Sequence, residues 1–265
     1  MTHVTSIRLP QLCGMGQLRT CRFFALLGMA AVGCLSSPTS PGPQLIGEGR
    51  PVLFIGNSYL YTKDVPGIVQ ALADSAGGDK LAVMTIVGPN YALIDHWKEG
   101  TARSQIGEHA FEWVVLQQGP SSVEINRDSL RLVTKLFADE MAKEGSAMPA
   151  LFSAWPNAER RQDFTRAIES YTLAAADVNG ILLPVASGWL AAWDRVSTLQ
   201  LYEDELHPSN EGAYLAALVI YAELLGKSPI GLPATLRTHG GVTIAIDPTT
   251  ATTLQDAAAA VTNLP

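Results

Sequence analysis

Cysteine is absent beyond residue 34, the three in the sequence being Cys13, Cys21 and Cys34. Disulfides, cysteine-based zinc sites and thiol nucleophiles are thereby excluded from the rest of the chain. Charge is also sparse, at 16% of residues, and positive charge sparser still. Three of the 18 basic residues (Arg8, Arg19, Arg22) precede Cys34, which leaves 15 against 25 acidic residues, a balance of −10. A surface of that sign repels phosphate backbones, so nucleic acid is not an expected partner, and a neutral or cationic substrate suits it better than a polyanion. No repeat with a period of 20–50 residues is present. What is there is a chain 47% hydrophobic, enough to bury a core, with chemistry confined to oxygen and nitrogen groups.

The first 34 residues read as an address. Arg19 and Arg22 precede the apolar run 23–32 (FFALLGMAAV), which is too short to cross a bilayer as a helix. Positive residues, an apolar run and then small residues make an export signal. The run ends in Ala31-Val32-Gly33-Cys34, which resembles the bacterial lipobox, with Ala31 where leucine is usual. The expectation is a signal peptide over 1–34 and a membrane anchor through lipid on Cys34. Counting from Met15 rather than Met1 gives a more usual signal length. Residues 35–49 are rich in Ser, Pro and Gly and read as a flexible linker, leaving 50–265 as the folded domain.

In that domain, short apolar runs alternate with amphipathic ones. Strands are expected at 51–55, 81–87, 113–116, 150–154 and 180–185. Helices are expected at 65–76, with Asp64 as N-cap and Pro66 in the first turn, at 127–143, 158–177 and 210–225, the last stopped by Gly226. A short strand at 242–246 and a helix at 249–261 complete the tail. Strands alternating with helices predict a mostly parallel sheet covered on both faces, an α/β/α sandwich.

Three segments carry candidate chemistry. Gly56-Asn57-Ser58 directly follows the first strand, and ligands of open α/β sheets gather at the carboxyl ends of strands. A serine there can present its hydroxyl to the crevice and its own N–H to an oxyanion. A phosphate loop is excluded, because no Gly-Lys-Ser/Thr follows. Asp204-Glu205-Leu206-His207-Pro208 supplies what a serine needs: an imidazole to take its proton, and a carboxylate three residues away to fix the imidazole tautomer. One histidine amid Glu203, Asp204 and Glu205 suits a metal only loosely, and no metal or other cofactor is expected. The third candidate is a pair of loops, 90–96 and 117–121, rich in backbone and amide donors such as a tetrahedral oxyanion requires. Asp95 and His96 are chain neighbours that cannot face each other on a helix, so His96 reads as structural.

Taken in order, VLFIGNSYLYTKDVP (52–66), NYALIDHW (90–97), WVVLQQGPSS (113–122), LLPVASGWLAAW (182–193) and LYEDELHPSNEGAYLAALVIYAELLGKSP (201–229) resemble the SGNH/GDSL hydrolases, notably their exported bacterial branch with a Gly-Asn-Ser block. The resemblance implies a flavodoxin-like three-layer fold and ester hydrolysis through an acyl-enzyme on Ser58, with Asp204 and His207 completing the triad. The second block normally supplies a glycine N–H to the oxyanion hole; counting back from Leu93 places Asn90 there, with Gly88 two residues earlier. The third block normally carries an asparagine but here reads Gly119-Pro120-Ser121-Ser122. The Gln117 side chain is the expected replacement donor and Gln118 the second choice, so the expected hole is the Ser58 N–H, the Asn90 N–H and the Gln117 amide. An exported, tethered, acidic protein of this kind fits O-deacetylation of extracellular glycan. The alternative is a non-catalytic surface protein that binds carbohydrate through Trp97, Trp155, Trp189 or Trp193.

Overall fold

The computed structural model describes residues 42–145, 147–262 and 264. The expected signal segment, Cys34 and the linker up to residue 41 lie outside the described residues.

In chain order the elements are β1 (Arg50–Gly56), α1 (Ser58–Tyr61), α2 (Val65–Ala76), β2 (Leu81–Val87), α3 (Leu93–Glu99), α4 (Thr101–Glu108), β3 (Trp113–Leu116), α5 (Glu124–Glu144), β4 (Met148–Phe152), α6 (Phe164–Asp177), β5 (Ile181–Leu183), α7 (Val185–Arg195), α8 (Asn210–Leu225), β6 (Thr235–Arg237), β7 (Thr243–Ala245) and α9 (Pro248–Thr262). Five strands form one parallel sheet in the order β2-β1-β3-β4-β5. The central strands read as unbroken apolar runs because both faces are covered: Val52, Leu53, Phe54 and Ile55 of β1 and Val114, Val115 and Leu116 of β3 are fully buried. Helices α2, α7, α8 and α9 pack together, as do α3, α4, α5 and α6, giving the α/β/α sandwich expected from the alternation. Helix α8 lies deepest, with twelve of its residues buried.

The strand order places β1 between β2 and β3, so the chain leaves β1 in one direction along the sheet and returns to its other side with β3. Such a switch point opens a crevice at the carboxyl ends of the strands, where doubly wound proteins bind ligands. Gly56 ends β1 there, and the Gln117-Gln118 loop follows β3.

Several expected boundaries shift for local reasons. Residues 158–177 are not one helix. A 3-10 segment (Ala158–Asp163) with non-helical backbone at Arg160 precedes α6, and it delivers Asp163 to the interior, where it is fully buried. Helix α7 begins at Val185, within the span expected as strand 180–185, because Pro184, its N-cap residue, has no N–H to continue a ladder. Helices α3 and α4 have 7 and 8 residues and meet at Gly100, whose φ of 91° only glycine adopts without cost. Each is too short to show a helical period. In the tail the expected strand is one arm of an antiparallel hairpin, β6 with β7. The expected linker also ends early: Ile46 pairs with Val83 through two 2.8 Å backbone hydrogen bonds. Gln70 Nε2 donates to the Ile46 carbonyl at 2.7 Å, so the sheet edge is already engaged before Arg50.

Candidate active site

The Ser58 turn is built from three constraints. Gly56 closes β1, and a Cβ there would collide with the Gln117 side chain. Asn57 is the N-cap of α1, its Oδ1 accepting from the Tyr59 N–H at 3.2 Å. Its Nδ2 donates to the Tyr91 carbonyl at 2.9 Å, tying the turn to the loop after β2. Ser58 is therefore the first residue of a helix. Its N–H has no intrahelical acceptor, as at any helix start, and makes no other hydrogen bond among the described residues. The residue is only 8% exposed, recessed at the floor of the crevice.

The Asp204–His207 turn arrives from the far end of the sequence. Asp204 Oδ1 accepts from the N–H groups of Leu206 and His207, each at 2.6 Å, which folds the turn on its own carboxylate. Oδ2 is 2.8 Å from His207 Nδ1, and His207 Nε2 is 2.9 Å from Ser58 Oγ. Since the carboxylate is acceptor-only, Nδ1 carries the ring proton and Nε2 is left as the acceptor for the serine hydroxyl. The His207 side chain and the neighbouring N–H groups hold the Asp204 carboxyl down to about 2, so it is ionised at any working pH.

The turn is moored on every side. Ala158 N–H donates to the Glu205 carbonyl at 2.8 Å, the Trp155 indole to the Leu206 carbonyl at 2.9 Å, and Lys63 pairs with Glu203 at 2.6 Å. Behind it Ser209 caps α8, accepting from the Gly212 N–H at 3.1 Å. Gly212 is needed because a Cβ there would strike the Leu201 carbonyl oxygen.

The donor loops divide. Gly88 N–H is already given to the Gly56 carbonyl at 3.1 Å, whereas the Asn90 N–H makes no hydrogen bond among the described residues. Asn90 is exposed, with φ of 60°, a left-handed position that asparagine tolerates better than most residues. Gln117 is different. It is fully buried, its Oε1 accepts from the Asn57 N–H at 2.9 Å, and its Nε2 donates to the Gln118 carbonyl at 2.5 Å. Both ends of the amide expected in the oxyanion hole are thus engaged with backbone, at Asn57 and Gln118. Gln118 is also a brace: its Oε1 accepts from the Leu93 N–H at 3.1 Å and its Nε2 donates to Ser121 Oγ at 2.8 Å.

Two supporting residues have weak sequence signals. His96 is buried, and its Nε2 donates to the Gly56 carbonyl at 2.8 Å. Burial depresses its pKa, so the neutral ring serves as a fixed strut, in keeping with its structural reading. Tyr171, buried on α6, accepts from the Gln118 N–H at 3.1 Å and lies 2.9 and 3.0 Å from the Gln118 and Gly119 carbonyls. Nothing but its place on an apolar helix face pointed to it. The tryptophans considered for carbohydrate stacking are occupied elsewhere. Trp155 and Trp189 are fully buried and stacked at 4.1 Å. Trp193 is covered by the Arg161 guanidinium, and Trp97 packs edge-on against Phe137 under Arg103. Among the described residues no three His, Cys, Asp or Glu side chains gather as they would around a metal ion.

Solved structures share this fold. A protein from Slackia heliotrinireducens described as an SGNH hydrolase superposes with a TM-score of 0.57 at 23% identity, over 67% of this chain and 100% of the other. The fold is that of the SGNH/GDSL hydrolases. A lipase/acylhydrolase from Enterococcus faecalis matches with a TM-score of 0.54 at 16% identity, over 67% of this chain and 96% of its own. An acetyl xylan esterase matches with a TM-score of 0.53 at 15% identity, over 66% of this chain and 99% of its own. No family model matches the sequence, and no curated protein matches it. Within this fold, the Ser58 turn, the loop after β2 and the Asp204–His207 turn are joined by hydrogen bonds from Asn57 to Tyr91 and between Ser58 and His207.

Proposed function

We propose that this chain is a serine esterase that hydrolyses carboxylic esters through an acyl-enzyme on Ser58. The observation that carries the reading is the unbroken hydrogen-bonded line from Ser58 Oγ through His207 to Asp204, at the one place in the sheet where a ligand crevice is expected. In this reading Ser58 Oγ attacks the ester carbonyl as His207 Nε2 takes its proton. The Asp204 carboxylate steadies the resulting imidazolium. The carbonyl oxygen, now negative, faces the unpaired N–H groups of Ser58 and Asn90. Collapse expels the alcohol, which takes the proton back from His207. Water, activated by the same imidazole, then frees the acid.

The acyl group we favour is acetyl and the setting extracellular, with the protein exported and held to a membrane through lipid on Cys34. The apolar leader ending in Cys34 and the acidic balance support the setting, and the acetyl xylan esterase among the structural neighbours supports the acyl group. Stopped-flow hydrolysis of 4-nitrophenyl acetate by the purified protein tests the chemistry. A burst of nitrophenol stoichiometric with protein is expected if acylation outpaces deacylation, and steady turnover in either case. No release above the buffer rate would end the esterase reading.

A further inference from the structure

The Asp204–His207 turn rests on the segment that follows β4. Three hydrogen bonds join them: Trp155 Nε1 donates to the Leu206 carbonyl at 2.9 Å, the Ala158 N–H to the Glu205 carbonyl at 2.8 Å, and the Tyr202 hydroxyl to the Pro156 carbonyl at 2.5 Å. The turn itself is closed, with Tyr202 bridging Pro208 and the Glu203 N–H donating to the His207 carbonyl at 2.9 Å. It is therefore one unit, and the segment 155–158 decides where that unit stands.

Trp155 does something that the other two bonds do not. Its ring packs against that of Tyr59, centroids 4.9 Å apart, and Tyr59 follows Ser58 in α1. One side chain thus touches the residue after the serine and the residue before the histidine. It is fully buried and backed by Trp189, stacked at 4.1 Å, and by Phe152 at 6.0 Å, so close packing denies it other orientations. The Lys63–Glu203 pair also reaches from the end of α1 to the turn, but the Glu203 side chain is 50% exposed, and a surface pair holds position weakly.

Under the esterase reading, on which this inference rests, the 2.9 Å between His207 Nε2 and Ser58 Oγ is what lets the imidazole take the hydroxyl proton. We infer that Trp155 is a positioning residue: its N–H holds the base turn at the distance from Ser58 that its ring fixes through Tyr59. With no exposed surface it does not meet the ester, so it acts on the rate of serine attack through the placement of His207.

Two matched substitutions test this. Trp155→Phe keeps an aromatic face for Tyr59 and loses the donor. Trp189→Phe makes the same change in the stacked neighbour, whose Nε1 has no hydrogen-bond partner among the described residues. The rate constant for fluorophosphonate labelling separates them, because misfolded protein lowers the amount labelled and not the rate constant of the folded fraction. A displacement of about 1 Å can cost about 10²-fold in rate, so the smaller drift of an untethered turn should slow labelling of Trp155→Phe about tenfold, with kcat/KM for 4-nitrophenyl acetate falling alongside. Trp189→Phe should lose thermal stability comparably and keep both rates within about threefold of wild type. If phenylalanine at 155 leaves too little folded protein, the 3-benzothienyl analogue of the tryptophan side chain, which has its shape with sulfur in place of N–H, gives the same readout. A position-155 variant that labels within about threefold of the wild-type rate, or a Trp189→Phe variant slowed as much as Trp155→Phe, overturns the positioning role and leaves the esterase reading standing. A wild-type protein that neither labels nor turns over 4-nitrophenyl acetate overturns both.

Discussion

Replacing Ser58 by alanine, or His207 by alanine, is expected to lower kcat by roughly 10⁴-fold or more, with the melting temperature close to that of the wild type. The two losses should not add. Once the serine is gone the imidazole has nothing to activate, so the double variant should resemble either single one, its residual rate coming from the oxyanion donors and binding. The Ser58 hydroxyl bonds only to His207 among the described residues, and His207 is held mainly through its backbone and its turn, so neither side chain carries the fold. Asp204→Asn is expected to cost less than either. The Asp204 side chain is 56% exposed, and solvent weakens its hold on an imidazolium. Its Oδ1, which closes the turn through the Leu206 and His207 N–H groups, survives in asparagine. Steady-state rates on 4-nitrophenyl acetate, read beside thermal melts of the same preparations, check all three.

Gln117→Leu is the second large effect, and it is one of stability. Leucine nearly matches the side chain in size but has neither the Oε1 that meets the Asn57 N–H nor the Nε2 that meets the Gln118 carbonyl. The buried Asn57 N–H is left without a partner, at about 1–3 kcal/mol, while the Gln118 carbonyl keeps the Tyr171 hydroxyl. In a domain of this size each kcal/mol moves the melting midpoint by about 2–4 °C, so a fall of roughly 2–12 °C is expected. Well below that midpoint kcat should drop by less than about tenfold, because the Ser58 and Asn90 N–H groups still face the oxyanion. The opposite outcome, a 10²–10³-fold fall in kcat at unchanged stability, is what loss of an oxyanion donor gives. It would return Gln117 to the role that its chemistry alone suggested. Thermal denaturation and kcat measured on this one variant separate the two.

Gln117 also marks where sequence stops informing. The Gln-Gln loop after β3 revealed amide donors at a strand end, but an amide's direction is set by what surrounds it. Here the Asn57 N–H and the Gln118 carbonyl take both ends. The sheet was legible because β1, β2 and β3 are buried runs with clear ends at Gly56, Val87 and Leu116. The Asp204–His207 pair was legible because three residues of separation close one turn without help from the rest of the fold. Ser58 was legible because a strand ends two residues before it. The supports of Ser58 were not. Asn57 acts across to Tyr91, His96 across to Gly56 and Tyr171 across to Gln118, and a linear reading carries no sign of which distant carbonyl a polar side chain will meet. Arg160 and Asp163 are similar. Opposite charges three apart look like a solvated helix pair, yet non-helical backbone at Arg160 and the burial of Asp163 anchor the pair on a buried carboxylate.

All of this rests on one oxygen atom being a nucleophile. A fluorophosphonate reacts with a serine only when a neighbouring base has activated it, so covalent labelling followed by peptide mass spectrometry tests that most directly. The expected result is a single adduct on Ser58, absent from His207→Ala and slowed by an excess of ester substrate present during labelling. An unlabelled protein, or an adduct on any other serine, would contradict it.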